Sequence, residues 1–218
     1  MPGRAKTRLA RSLGQAGATC LYRAFLQDLS VALDGGGRWE LVAAHDDPGP
    51  GRFLLSVFGG RWRLAPQREG DLGERLASCF GASREDGVGM TVVAGSDLPT
   101  LSEGGVARAF ALLKGAKDVV IAPSPDGGFG LIGLASETPA DFLREPIAWS
   151  SSRTLEETEA AARRAGLAVR RLPPIPDVDE EVDLDPLREF LEVHPEAAPA
   201  TRAALARIGE ARAAGKVP

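Results

Sequence analysis

Short apolar runs rich in β-branched residues alternate with helical stretches along this chain, and that alternation constrains its fold more than any other feature. Met90-Thr-Val-Val-Ala94 ends abruptly in Gly95-Ser96-Asp97-Leu98-Pro99, and Asp118-Val-Val-Ile-Ala122 ends in Pro123-Ser124-Pro125-Asp126. Such runs, bounded by turn residues, read as buried strands. Further strands are predicted over Trp39–Ala44, Trp62–Pro66, Phe129–Leu134 and Leu167–Leu172. Between them, Leu21, Phe25, Leu29 and Leu33 fall at helical spacing in residues 17–33, and Gly35-Gly36-Gly37 ends that helix. Residues 53–58 suit either state, and 71–80 read as a helix. Ser102 is placed to cap a helix through Leu113, and Thr154-Leu-Glu-Glu157 is a capping-box pattern for one reaching about Ala165. After Pro173-Pro174-Ile175-Pro176 come two last helical segments, 183–193 and 199–214. Strands alternating with helices of this size imply an α/β fold with a mostly parallel sheet flanked by helices.

Composition narrows the chemistry. The 218 residues suit one domain and carry a formal net charge of −4, which argues against broad nucleic-acid binding. No apolar run approaches the ~20 residues of a membrane helix, and the N-terminus lacks a secretory core. The expectation is a cytoplasmic protein with no membrane partner. Cys20 and Cys79, like His45 and His194, are isolated, which argues against a Cys/His metal centre. The chain has no Asn, leaving carboxylates, backbone oxygens, Gln and water as metal ligands.

Four segments carry candidate chemistry. In Pro2-Gly3-Arg4-Ala5-Lys6-Thr7-Arg8-Leu9, three cations flank a glycine just before a helical segment. Backbone N–H groups at such a turn, with Arg forks and a Lys point charge, suit a phosphate; the same stretch also suits a solvated basic surface. Asp97 leaves the carboxyl end of a strand, where open α/β sheets bind ligands and where a carboxylate suits Mg²⁺; an ordinary turn reads equally well. Asp126-Gly127-Gly128 places a further acid at a glycine turn, suited to accept from substrate hydroxyls or to close a hairpin. Gly128–Gly133 formally matches G-x-G-x-x-G, but it runs into an apolar β stretch and so fails the dinucleotide reading. In Asp177-Val178-Asp179-Glu180-Glu181, the alternation offers two carboxylates to one side of a strand end, unless the run is a solvated face. Trp149-Ser150-Ser151 precedes a helix and could shape a pocket, and Gln67–Arg75 combines a turn with a helix start.

Taken in order, P-G-R-A-K-T-R-L, Q-x-x-G-D-L-G-E-R, G-S-D-L-P-T-L, P-S-P-D-G-G-F-G-L-I-G-L, W-S-S and D-V-D-E-E-V-D-L span residues 2–184. The set resembles a family of GT-A-type transferases associated with radical-SAM/selenodomain proteins. That family is also named for arsenosugar biosynthesis glycosyltransferases, and it is related to phospholactate guanylyltransferases and molybdenum-cofactor nucleotidyltransferases. The resemblance implies a GT-A-like (nucleotide-diphospho-sugar transferase) fold. It would form a single domain, with a nucleotide and metal half at about 1–135 and an acceptor half at about 136–218.

The same resemblance implies roles. Gly3, Arg4, Lys6, Thr7, Arg8, Gly95 and Ser96 would bind nucleotide phosphates. Asp97, Asp177 and Asp179 would hold Mg²⁺ or Mn²⁺. Asp126, Gly127, Gly128, Trp149 and Ser150 would meet the substrate, and Lys6, Asp97 and Asp126 would act in catalysis. The expected reaction is transfer from a nucleotide-sugar to a small-molecule acceptor. The alternatives are a nucleotidyltransferase that takes a nucleoside triphosphate and releases pyrophosphate, and a non-catalytic nucleotide-binding module. Asp97-Leu98-Pro99 gives D-x-P and not the D-x-D common in glycosyltransferases, which leans toward nucleotidyl transfer. Family members also place a hydrophobic strand and an Ala-Lys-Ala-Pro-like segment before P-G-R, and Met1 stands where Val is common. The expectation is a start misassigned at a GTG codon, with the first strand missing; native protein that begins at Met1 by mass analysis would overturn it.

Overall fold

The computed structural model describes residues 6–46 and 52–215. In chain order these form α1 (Thr7–Ala32), β1 (Leu41–His45), α2 (Arg52–Phe58), β2 (Trp62–Pro66), α3 (Leu72–Glu85), β3 (Met90–Ala94), α4 (Glu103–Leu112), β4 (Asp118–Pro123), β5 (Phe129–Ala135), α5 (Thr154–Arg164), β6 (Ala168–Arg171), α6 (Leu184–Val193) and α7 (Pro199–Ala213). β1 and β2 pair in parallel. The other four strands form a sheet in the order β3-β5-β4-β6. β5 runs against both β3 and β4, and β4 runs parallel to β6, so three of the four strands share one direction. Among the described residues, β1 and β3 each pair on one edge only.

The four-stranded sheet is covered on both sides, and β4 shows why. Val119 and Ile121 point into one core with Leu76, Phe80, Ile132, Leu134 and Leu143. Val120 and Ala122 point into the opposite one with Leu98, Leu101, Val106 and Leu131. Side chains alternate across a strand, so a run apolar at every position is stable only where both faces are covered. Each buried Val, Leu or Ile contributes roughly 1.5–3 kcal/mol, which fixes β4 centrally and makes its carboxyl end a firm platform for polar loops.

A third core joins α1 to α6 and α7 through Leu9, Leu13, Leu21, Phe25, Leu184, Leu187 and Ile208. The helix predicted at 17–33 in fact begins at Thr7 and breaks only at Gly14, whose φ of 68° and ψ of 161° are non-helical. Residues 53–58 resolve as helix α2. Thr154-x-x-Glu157 does not close as a capping box, because Thr154 is already the first helical residue. Its hydroxyl donates to the Ala148 and Ser151 carbonyls, and Glu157 accepts from the Ala148 N–H.

Asp28 of α1 caps a different helix. Its carboxylate accepts from the N–H groups of Ala200 and Thr201, at 2.9 and 2.7 Å, in the first turn of α7. Asp28 is buried, so Asp28→Ala leaves two donors dry and removes favourable charge at a helix start. Chemical unfolding of that variant is expected to show a loss of about 2 kcal/mol.

Glu159 ties α5 to β6. It is buried and accepts from Arg171 and, at 2.8 Å, from Arg163. The Arg171 hydrogen bond outweighs burial and holds the Glu159 carboxyl below its usual 4.5. A depressed acid contributes stability in full above the unfolded value, and this is lost as pH falls through the folded one. The stability gap between the parent and Glu159→Gln, read by urea unfolding, is therefore expected to be full at pH 7 and to shrink below about 4.5. A gap unchanged at pH 3.5 would contradict it.

Candidate functional site

The site forms where β3, β4 and the segment after β6 end together. β3 is tied to β5 at its last turn by the Gly95 N–H, which donates to the Gly130 carbonyl at 2.8 Å. A side chain on Gly95 would stand 2.7 Å from the Asp97 Oδ1, so glycine here leaves room for the Asp97 carboxylate. Leu98 is fully buried and anchors the turn from below, where a Cβ on Gly130 would meet it at 2.7 Å.

Residues 177–179 come alongside without forming a strand. Pro174 and Pro176 have no N–H to give a ladder. The chain is pinned instead by Ile175 N–H to the Pro123 carbonyl at 2.9 Å and Val178 N–H to the Asp97 carbonyl at 3.1 Å. Val178 is buried, and the acids on either side of it turn toward Asp97. Asp97, Asp177 and Asp179 each offer one carboxylate oxygen, and these oxygens lie within 4.8 Å of one another.

Lys6 closes the cluster. It is the residue just before α1 and takes a left-handed backbone, φ 54° and ψ 44°. Its side chain is only 6% exposed, and its ammonium donates to Asp97 Oδ2 at 3.0 Å and to Asp179 Oδ1. Burial alone would lower its pKa, but Asp97 and Asp179 together raise it above the usual 10.5, so the group is a cation at neutral pH. Asp177 is pushed above its usual 3.8 by burial and by the charges of Asp126 and Asp97, against a hydrogen bond from the Ser124 hydroxyl. Arg8 is exposed and reaches Glu180 at 3.2 Å.

Asp126 heads a tight turn in which its Oδ1 accepts the Gly128 N–H at 2.8 Å. Gly127 has a φ of +87°, and a Cβ there would lie 2.2 Å from the Ser152 carbonyl oxygen. Its own carbonyl accepts the Leu155 N–H at 2.9 Å. The turn is thereby docked onto the loop of Trp149, Ser150 and Ser151. Ser150 is exposed with a φ of 59°. Trp149 meets Phe129 edge-on at 6.4 Å and lies over Gly73, where a Cβ would be 2.7 Å from its ring. The Gln67–Arg75 segment serves this packing: Asp71 caps α3, and Gly73 allows the close approach.

Six sequence-predicted positions meet here, Lys6, Gly95, Ser96, Asp97, Asp177 and Asp179, with Asp126 beside them through its charge on Asp177. Thr7 is exposed at the start of α1. Trp149 and Ser150 lie in the loop whose Ser152 faces Gly127, Trp149 packed on Phe129 and Gly73 and Ser150 exposed. Gly3 and Arg4 lie outside the described residues. Sequence reading missed Tyr22 and the role of Ser124. Tyr22, the single tyrosine, shares a hydrogen bond with the Ser96 hydroxyl at 2.9 Å. Burial raises its phenol above the usual 10.0.

The fold is the α/β fold of nucleotide-diphospho-sugar transferases. The chain is similar to a candidate nucleotide-diphospho-sugar transferase of Desulfovibrio desulfuricans G20, known from its crystal structure, at 30% identity and a TM-score of 0.84, over 95% of this chain and 90% of that one. It also resembles in fold a CMP:2-keto-3-deoxy-manno-octonic acid synthetase solved with CTP, at 13% identity and a TM-score of 0.52, over 78% of this chain and 88% of that one. No curated protein matches it. Among the described residues, no helix is long and apolar enough to cross a membrane. Residues 22–151 match the family described as "Uncharacterized protein conserved in bacteria (DUF2064)", and the chain belongs to that family.

Proposed function

We propose that this protein is a metal-dependent transferase that takes a nucleotide-activated donor, as a cytoplasmic enzyme acting on a small-molecule acceptor. The observation that carries the reading is the meeting of Lys6 with Asp97, Asp177 and Asp179 at the carboxyl ends of β3 and β4. Hard divalent cations such as Mg²⁺ or Mn²⁺ prefer oxygen donors at about 2.1 Å, so opposed ligands stand about 4.2 Å apart. Three carboxylate oxygens within 4.8 Å of one another fit that demand. When bound through these acids, the metal would supply charge neutralisation on the donor phosphates.

The chain's own groups have separate tasks. Lys6, with Arg8 at the rim, holds positive charge where the leaving phosphate develops negative charge. Asp126, exposed on its turn, accepts from hydroxyls of the sugar or acceptor. Val178 and Leu98, both buried, keep the acids in place when the metal is absent.

Glycosyl transfer is the leading form of this reading, supported by the 30% identical relative and by the motif resemblance to GT-A-type transferases associated with radical-SAM/selenodomain proteins. Nucleotidyl transfer is the second, favoured by Asp97-Leu98-Pro99, with the same cradle serving attack at an α-phosphate and release of pyrophosphate. Product analysis separates them. Nucleoside diphosphate formed from nucleotide-sugars supports the first, and pyrophosphate formed from nucleoside triphosphates the second. Absence of any nucleotide binding with Mg²⁺, by calorimetry, would overturn both and leave a non-catalytic fold.

A further inference from the structure

We propose that Lys6 is the resident counter-ion of the Asp97–Asp177–Asp179 cluster, so that the site takes up a divalent metal and a di- or triphosphate as one unit and discriminates against the free metal. This rests on the metal-dependent reading above and adds to it the form in which the ligand is recognised.

Two of the three carboxylates are already engaged by the lysine. Lys6 donates to Asp97 at 3.0 Å and to Asp179, with a side chain 6% exposed, while Asp177 takes the Ser124 hydroxyl. An ammonium is a compact point charge on a flexible stem, and it neutralises the acids as a small cation would. A divalent ion arriving alone meets that charge on its own ligands. Both cations then share Asp97 and Asp179 and repel in a half-buried place, where screening is weak. The alternative is to send the ammonium out without an acceptor, which forfeits two charge-assisted hydrogen bonds.

A metal that arrives on a diphosphate brings the missing acceptor. Its phosphate oxygens lie next to the ion by construction, so the ammonium passes from carboxylate to phosphate without losing its partners. The left-handed backbone at Lys6 fits a poised residue. Its φ of 54° is uncommon for a residue other than glycine. The consequence is positive coupling between metal and polyphosphate, with Lys6 as the coupling element.

The test uses Mn²⁺ and inorganic pyrophosphate on the full chain, with affinities from calorimetry and from electron paramagnetic resonance of the free ion. Lys6→Met is expected to bind Mn²⁺ alone about tenfold more tightly than the parent, and to bind Mn²⁺–pyrophosphate about tenfold more weakly. Lys6→Arg, which keeps the charge, is expected to show no gain for Mn²⁺ alone. A lysine with a merely structural role would weaken both ligands in Lys6→Met, and that result, or unchanged Mn²⁺ affinity, overturns the proposal while leaving the metal site standing. If neither parent nor variants bind Mn²⁺, with or without pyrophosphate, the metal-dependent reading falls and the proposal with it. A measurement on the parent protein guards against a misfolded variant. Saturating Mn²⁺ alone should raise acylation of Lys6 relative to the exposed Lys114, read by mass spectrometry; unchanged or reduced labelling overturns the exchange.

Discussion

Asp97→Asn is expected to lower turnover by roughly 10²–10³-fold and to remove most of the Mg²⁺ dependence of nucleotide binding. Asp97 joins the cluster through both its carboxylate and its backbone carbonyl. Its carboxylate lies within 4.8 Å of Asp177 and Asp179, it accepts from Lys6 at 3.0 Å, and its carbonyl accepts the Val178 N–H at 3.1 Å. Asparagine keeps the shape and the backbone bond but removes the charge, so the turn stays in place while one charged ligand and one of the two charged partners of Lys6 are lost. The fold should survive, because the fully buried Leu98 anchors the loop and Asp97 itself is only half-buried. Calorimetry with Mg²⁺ and nucleotide, together with product assays, reads the effect. Metal-dependent binding and turnover that match the parent would remove Asp97 from the mechanism.

β3 and β4 were legible because each is a short apolar run closed by Gly or Pro. β2 and β3 have the predicted limits, and β4 and β5 differ by one residue at one end. The start of α1 was not legible. The predicted helix opened only at Gly17, yet Gly14 merely breaks it, and Leu9 and Leu13 on the far side of that break are fully buried against the core that α6 and α7 share. The acids were legible as types at turns, and the Asp177/Asp179 alternation did place both on one side. Their supposed strand was not real, because Val178 gives its N–H to Asp97 and the flanking prolines have none to give. Which cation meets which acid could not be read at all: Lys6 finds its partners 91 and 173 residues away. Tyr22 was hidden because an aromatic beside Leu21 in an amphipathic helix reads as core, and only the tertiary fold brings its hydroxyl to Ser96.

Gly127→Ala is expected to destabilise the protein by about 3 kcal/mol and to free the Asp126 turn from the loop beside it. Two independent demands fall on this one position. The backbone sits at φ +87°, which side chains rarely adopt, and a Cβ would stand 2.2 Å from the Ser152 carbonyl oxygen. That neighbour is backbone and cannot turn aside, so the two loops must separate. The Leu155 N–H bond to the Gly127 carbonyl, 2.9 Å long, would then be lost, and its amide should exchange with solvent faster. Gly128 gives the internal comparison. The nearest atoms to a Cβ there are those of the Asp126 carboxylate, its Oδ1 at 3.0 Å, a side-chain group that can rotate, so Gly128→Ala should cost much less. Equal stability and equal Leu155 exchange in the two variants would mean that the docking of Gly127 onto Ser152 does not hold Asp126 beside Asp177. The raised Asp177 carboxyl, which depends partly on that nearby charge, would then have to be attributed to burial and Asp97 alone.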